Sequence, residues 1–166
     1  MNEDKGRSVL DDVDDEGEDD SQRDKYLTFR VGEEDYALPI AQVVEIVGIL
    51  PVTEVPDMPP FVRGVINLRG RVIPAIDVRI RFGMKPRDYD PRTCVIVVDL
   101  AGTSVGLIVD TVREVISITP NAVALPPAIQ SQSRFVKGLG RVGDSVKIML
   151  ELEKLLRDAQ FASPAN

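Results

Sequence analysis

The stretch FVRGVINLRGRVIP, residues 61–74, decides the fold of this 166-residue chain. Two apolar runs, 64–68 and 72–76, flank Arg69-Gly70. This is the pattern of a β-hairpin in which glycine supplies a positive φ. The sequence therefore predicts a hairpin that carries polar side chains at its tip.

The hairpin has a second copy later in the chain. A shift of 74 residues places 61–72 on 135–146, with glycine at 64 and 138 and phenylalanine at 61 and 135. Upstream, a shift of 69 residues places 25–51 on 94–120. The polar tip is not repeated, because RVGD (141–144) stands opposite NLRG (67–70). One fold unit therefore occurs twice, and the copy-specific tip indicates a binding site on a duplicated frame.

The rest of the chain reads as short strands separated by Gly, Pro and polar turns. The predicted strands outside the first hairpin are 26–31, 36–40, 43–50, 93–100, 105–109 and 112–118, with a last hairpin around 143–144. A helical turn is predicted at 77–82 with Asp77 as its cap, and a C-terminal helix at 151–161. Two sets of about five short strands indicate two small barrels packed together.

Composition divides the chain into a tail and a folded part. Residues 1–24 hold eleven acidic and three basic side chains, a net charge of −8, whereas the whole chain is at −7. Such a run is predicted to be a disordered acidic tail. The folded domain is expected at 25–160, with a first barrel at about 25–85 and a second at about 91–156. No secretory signal or membrane-spanning stretch is apparent, so we expect a cytoplasmic protein without membrane insertion.

Several common catalytic and cofactor-binding motifs are missing from the chain. The chain has no histidine and one cysteine, and it lacks a GxxxxGK[ST] element. Histidine triads and P-loop nucleotide sites are thereby excluded, and a zinc site would have to rely on carboxylates, an unusual ligand set for that metal. Residues 138–143 match GxGxxG, but a strand rather than a helix is predicted after them, so a dinucleotide site is not expected. The sequence predicts no enzyme activity, metal, cofactor or small-molecule substrate.

Two alternatives to this interpretation stay open from the residues alone. Glu45 and Glu114 occupy equivalent strand positions, either as solvent-facing residues or as partner contacts. A local basic region would suit single-stranded nucleic acid, although aromatic residues are 5% of the chain and tryptophan is absent. Contact with acidic protein surfaces, or with the acidic tail, is the more economical use of these basic residues: Arg63, Arg69, Arg71, Arg79, Arg81, Lys85 and Arg87.

The assembled motifs resemble the chemotaxis coupling protein family, the CheW-like domain. They are YALPI followed by VVEI (36–46), FVRGVINLRG with VIP (61–74), GLIVD with VREV (106–115), and GLG (138–140). The resemblance implies two SH3-like five-stranded barrels and a scaffold that links chemoreceptor tips to the regulatory domain of the CheA histidine kinase. The same scaffold in a pilus-motility or developmental kinase array is an alternative.

The resemblance also implies where partners bind. Glu45 and Arg69 correspond to family residues on partner-binding surfaces. The residues expected to line or shape the contact are Val43, Ile46, Gly64, Asn67 and Leu68. Ala128 and Ile129, in the extra loop of the second copy, are a further candidate contact.

Overall fold

A computed structural model describes residues 22–125 and 134–157. These residues form β-strands joined by tight turns and short helices, as the strand pattern predicts. The strands are β1 (Lys25–Val31), β2 (Glu34–Pro39), β3 (Val43–Gly48), β4 (Val62–Leu68), β5 (Arg71–Asp77), β6 (Cys94–Leu100), β7 (Thr103–Val109), β8 (Thr111–Ser117), β9 (Val123–Ala124), β10 (Val136–Val142) and β11 (Ser145–Leu150). Helices α1 (Val78–Arg81) and α2 (Leu152–Leu155) follow β5 and β11. Ile40–Gln42 and Pro120–Ala122 are 3₁₀ turns.

The strands form two sheets that curl into barrels. One sheet has the order β3-β6-β7-β5-β4 and the other β8-β1-β2-β11-β10-β9. The first curls until the segment after β3 meets β4 through the Thr53–Val65 bridge. In the second, β9 comes shortly after β8 in the chain and pairs with β10 in the same way. This is the expected mainly β fold of two packed SH3-like barrels.

The two sheets repeat one another strand for strand. The parallel pair Ala75–Gly106 in one sheet corresponds to Met149–Ala37 in the other, at the offsets found in the sequence. The register of each tip hairpin shifts at the same place, next to Gly64 and next to Gly138. The duplication seen in the sequence is therefore a duplication of structure.

The two copies exchange their first hairpins. Strands β1 and β2 lie in the sheet of β8, β10 and β11, while β6 and β7 lie in the sheet of β3, β4 and β5. A boundary between barrels at 25–85 and 91–156 consequently does not separate the two sheets. The exchange arises in the connections between strands. Neither connection is a hairpin loop: β2 is joined to β3 by the turn Ile40–Gln42, and β7 to β8 by the single residue Asp110. They direct β3 and β8 into the sheet opposite that of the preceding strand.

The buried apolar residues of the described ranges form three clusters. The largest lies between the barrels and takes residues from both copies, among them Phe29, Leu107 and Leu152. A second cluster, around Ile66, fills the barrel of β3–β7, and a third, around Met149, fills the other. The exchange of hairpins and the shared cluster together join the two barrels into one body.

The two short helices correspond to each other in the duplication. Asp77 caps α1, as predicted, because its Oδ1 accepts a hydrogen bond from Ile80 N at 3.3 Å. Helix α2 begins where the C-terminal helix was expected, and Leu152 and Leu155 are buried. Residues beyond 157, the remainder of the predicted helix, and the tail at 1–21 lie outside the described residues.

Candidate functional site

The tip of the β4–β5 hairpin is a two-residue turn made by Arg69 and Gly70. Their φ angles are +49° and +86°, and a positive φ at both central residues is the requirement of a type I′ turn. Asn67 stabilises the turn, since its Oδ1 accepts a hydrogen bond from Gly70 N at 2.9 Å. A non-glycine residue in this region costs about 1–2 kcal/mol. The chain thus places an arginine where glycine or asparagine would fit more easily.

Arg69 forms an ion pair with Glu45, in which Arg69 Nη2 donates to Glu45 Oε2. Arg69 follows β4, and Glu45 lies on β3. These are the two outer strands in the sheet order, and closure of the barrel brings them together. The Arg69 side chain is 67% exposed and that of Glu45 28% exposed. Both charged residues expected at partner contacts therefore lie side by side on one surface, with most of the guanidinium in solvent.

The strands that carry this ion pair also expose apolar side chains. Strand β3 alternates, so that Val44 and Ile46 point outward at 53% and 41% exposure, while Val43 is half-buried and packs against the core. Val72, which pairs with Asn67 across the hairpin, is 67% exposed. The members of the expected apolar pair therefore differ in exposure: Ile46 is accessible, whereas Val43 is partly covered by the core.

Sequence reasoning missed Val44 and Val72. The period-two alternation of β-strands places Val44 on the face of Ile46, and this signal could have identified it. Val72 could have been found from the hairpin register opposite Asn67. We name the exposed set formed by these three apolar residues together with Glu45 and Arg69 the tip surface.

Gly64 and Leu68 shape the hairpin from inside. Gly64 is buried with φ +147°, and a Cβ there would lie 2.0 Å from the carbonyl oxygen of Thr53. Leu68 is 5% exposed and belongs to the cluster inside the barrel. These two residues therefore hold the frame, whereas Arg69 and Glu45 are available to a partner. Ala128 and Ile129 lie outside the described residues.

The basic region predicted from the sequence is largely paired. Arg79 Nε donates to Asp110 at 3.0 Å, and Arg87 lies 3.6 Å from the same carboxylate. Arg81 is buried and donates to backbone carbonyls. The exposed guanidinium groups are thus fewer than the sequence suggests, which reduces the charge that could face a phosphate backbone.

The described residues also bear on the other chemical sites that were considered. They contain no group of three or more Cys, Asp or Glu side chains placed to hold a metal ion. The GxGxxG match at 138–143 covers most of β10 and the turn after it. The next element is the strand β11, whereas a dinucleotide site needs a helix at this position. None of the helices in the described ranges has the length and apolar character needed to cross a bilayer.

The fold is a duplicated pair of SH3-like barrels in which the first tip hairpin exposes an arginine ion pair. Comparison with known proteins then gives the family. The family model described as CheW-like domain matches residues 25–160. The chain belongs to the CheW-like domain family.

Individual relatives agree with this assignment. Chemotaxis protein CheW of Klebsiella aerogenes is 36% identical over 144 residues, covering 86% of this chain and 87% of that protein. Protein FrzA of Myxococcus xanthus is 32% identical over 147 residues, covering 86% and 91%. The crystal structure of scaffolding protein TtCheW from Thermoanaerobacter tengcongensis is similar with a TM-score of 0.76 and 38% identity, covering 81% of this chain and 93% of that one.

Proposed function

We propose that this protein is a non-enzymatic adaptor that couples chemoreceptors to the CheA histidine kinase in the cytoplasm, where receptor arrays recruit it. Membership of the CheW-like domain family supports this proposal. The observation that carries it is the tip surface, in which the Arg69–Glu45 ion pair is held on strands that also expose two valines and an isoleucine. Such a combination suits protein recognition, since an apolar centre is desolvated on contact and charged groups orient the partner.

The guanidinium of Arg69 is the group proposed to select the partner. Its planar fork can bind a carboxylate through two parallel hydrogen bonds, which lysine cannot reproduce. Glu45 already accepts from Nη2, so a partner carboxylate either shares the guanidinium or replaces Glu45. The pair would also keep the guanidinium in a defined direction before binding, which reduces the entropy lost on contact.

The remaining candidate residues have distinct parts in this proposal. Ile46, with Val44 and Val72, supplies the apolar contact. Gly64, Leu68 and the half-buried Val43 shape the barrel behind it, and Asn67 holds the turn. Ala128 and Ile129 stay a predicted second contact.

Binding of Arg69→Ala to purified partners tests the proposal. We expect the variant to fold normally and to lose about 1–3 kcal/mol of binding free energy, the usual range for an interface anchor. Titration calorimetry against the CheA regulatory domain and a receptor tip fragment, measured separately, would show which partner uses this surface. Arg141→Ala is the matched control, because Arg141 is an exposed arginine on the equivalent hairpin. Unchanged affinity of Arg69→Ala for both partners would refute the proposal.

A second candidate is the same scaffold in a different kinase array, such as one for pilus motility or development. The match to Protein FrzA, a relative that is not named CheW, favours this second candidate. Binding of the tip surface to a kinase of such an array, with no binding to the chemotaxis CheA, would select this candidate. Single-stranded nucleic acid is a distinct class, and binding to it would fall steeply with salt concentration.

A further inference from the structure

A groove of about 520 Å³ lies between the two barrels, and its lining includes none of the residues that define the tip surface. Its lining is mostly apolar and takes residues from both copies, with Phe61 and Phe135 at equivalent positions: Pro60, Phe61, Ile80, Phe82, Arg134 and Phe135. Phe82 and Phe135 are in ring contact, with centroids 5.6 Å apart. The groove is therefore suited to a small aromatic or aliphatic side chain.

Arg81 connects this groove to the C-terminal end of α2. Its guanidinium carbon lies 4.2 Å from the ring centroid of Phe61 and 4.8 Å from that of Phe135. The same guanidinium donates hydrogen bonds to the carbonyl oxygens of Leu155 at 2.8 Å and Arg157 at 2.7 Å. Since Arg81 also lines the groove, residue 157 lies at the edge of the groove.

The next residues of the chain have the chemistry that the groove accepts. Residues 158–166, DAQFASPAN, contain one aromatic side chain, Phe161. Phe161 is four positions after Arg157, and an extended chain spans up to about 14 Å over that length. Asp158 has the charge opposite to that of Arg134, an exposed arginine on the groove's rim. The length of this segment, its aromatic side chain and the charge of Asp158 therefore all match the groove.

We propose that the groove between the barrels is the binding site of this chain's own C-terminal segment, 158–166, with Phe161 as the side chain that fills it. Because the segment is tethered beside the groove, its effective concentration there is about millimolar or higher, so a weak intrinsic affinity is sufficient. The groove is then covered in the isolated protein, and any other apolar segment has to displace Phe161 to enter.

A single tryptophan tests the proposal, since the chain has none. In Phe161→Trp, excited at a wavelength that tyrosine does not absorb, we expect emission at shorter wavelength than in the urea-unfolded chain and several-fold weaker quenching by acrylamide. Adding Pro60→Glu or Ile80→Glu, which place a carboxylate in the groove, should shift the emission back and restore quenching. Val146→Glu, on an exposed position of β11, should change neither.

Two outcomes would overturn the proposal. One is emission and quenching in folded Phe161→Trp equal to those of the unfolded chain. The other is a protected tryptophan that neither groove substitution exposes, which would place the segment elsewhere. Pro60 is exposed, so Pro60→Glu keeps the test valid if thermal unfolding shows that Ile80→Glu does not fold. All measurements use the isolated protein, so their result is independent of the adaptor function and of Arg69.

Discussion

Gly64→Ala is expected to destabilise the protein by opening the first barrel. Gly64 has φ +147°, a conformation that side-chain-bearing residues rarely adopt, and a Cβ there would lie 2.0 Å from Thr53 O and 2.7 Å from Thr53 C. Both atoms belong to the backbone, so no side-chain rotation relieves the contact. The segment around Thr53 has to move away from β4.

The size of the effect follows from what this movement breaks. Thr53 N donates to Val65 O at 2.9 Å, and Val65 N donates to Thr53 O at 2.8 Å. Each such bond contributes about 1 kcal/mol, and forcing alanine into this backbone conformation costs about 1–3 kcal/mol. We expect a loss of about 3 kcal/mol or more in the free energy of unfolding. For a chain of this size that corresponds to a melting temperature lower by roughly 6–12 °C.

The duplication supplies an internal control for this measurement. Gly138 occupies the equivalent position, but its φ is not in the glycine-specific range, and a Cβ there would meet Val123 Cγ1 at 2.7 Å and Ala124 O at 3.1 Å. A valine side chain can shift, so Gly138→Ala should cost only about 1–2 kcal/mol. Urea denaturation of both variants checks this. The reasoning is wrong if the unfolding free energy of Gly64→Ala stays within about 0.5 kcal/mol of wild type. It is also wrong if Gly138→Ala destabilises the protein more than Gly64→Ala does.

Three further predictions concern other parts of the molecule. Burial opposes ionisation of Asp35, but hydrogen bonds from Lys147 and a neighbouring arginine outweigh it and hold its pKa below the usual 3.8. The ionised Asp35 therefore stabilises the fold above pH 3.8, and this stabilisation is lost as pH falls through the lowered pKa. In urea denaturation, Asp35→Asn should be much less stable than wild type at pH 7, and the difference should vanish in acid. Arg81→Met, which loses the hydrogen bonds to the end of α2, should lower unfolding free energy by about 2–4 kcal/mol, and an unchanged urea midpoint would contradict this. Val72→Asp should leave stability unchanged and weaken partner binding about tenfold (~1.4 kcal/mol) in calorimetry, while Val146→Asp should not.

Much of the fold could be predicted because its signals are local. Alternation in 26–31 indicated β1, a strand was predicted at 112–118 where β8 lies, and dipeptides containing glycine marked the hairpin turns. Asp77 could be recognised as a helix cap because capping depends on residues three positions apart. The repeated glycine at 64 and 138 gave the duplication, which the sheet pairing confirms.

The exchange of hairpins could not be predicted in the same way. Alternation shows which face of a strand is buried, but not which strand lies beside it. The turn Ile40–Gln42 carries β3 into the other barrel through a backbone conformation that apolar pattern does not encode. For the same reason the sequence could place Glu45 and Arg69 on partner surfaces only through the family resemblance, and the ion pair between them emerged from the closed barrel.

The duplication and the single polar tip together explain how a symmetric frame can bind asymmetrically. The second barrel keeps the register shift, the hairpin and the helix after it, and it has Glu114 where the first has Glu45. At the hairpin tip, however, Gly143-Asp144 replaces the arginine turn, so a carboxylate stands near the position of the guanidinium. A partner that recognises Arg69 through its own carboxylate would meet repulsion at the second barrel. Pseudo-symmetry of the backbone therefore coexists with different charges at the two tips, so a partner that binds through Arg69 is not expected to bind both tips in the same way.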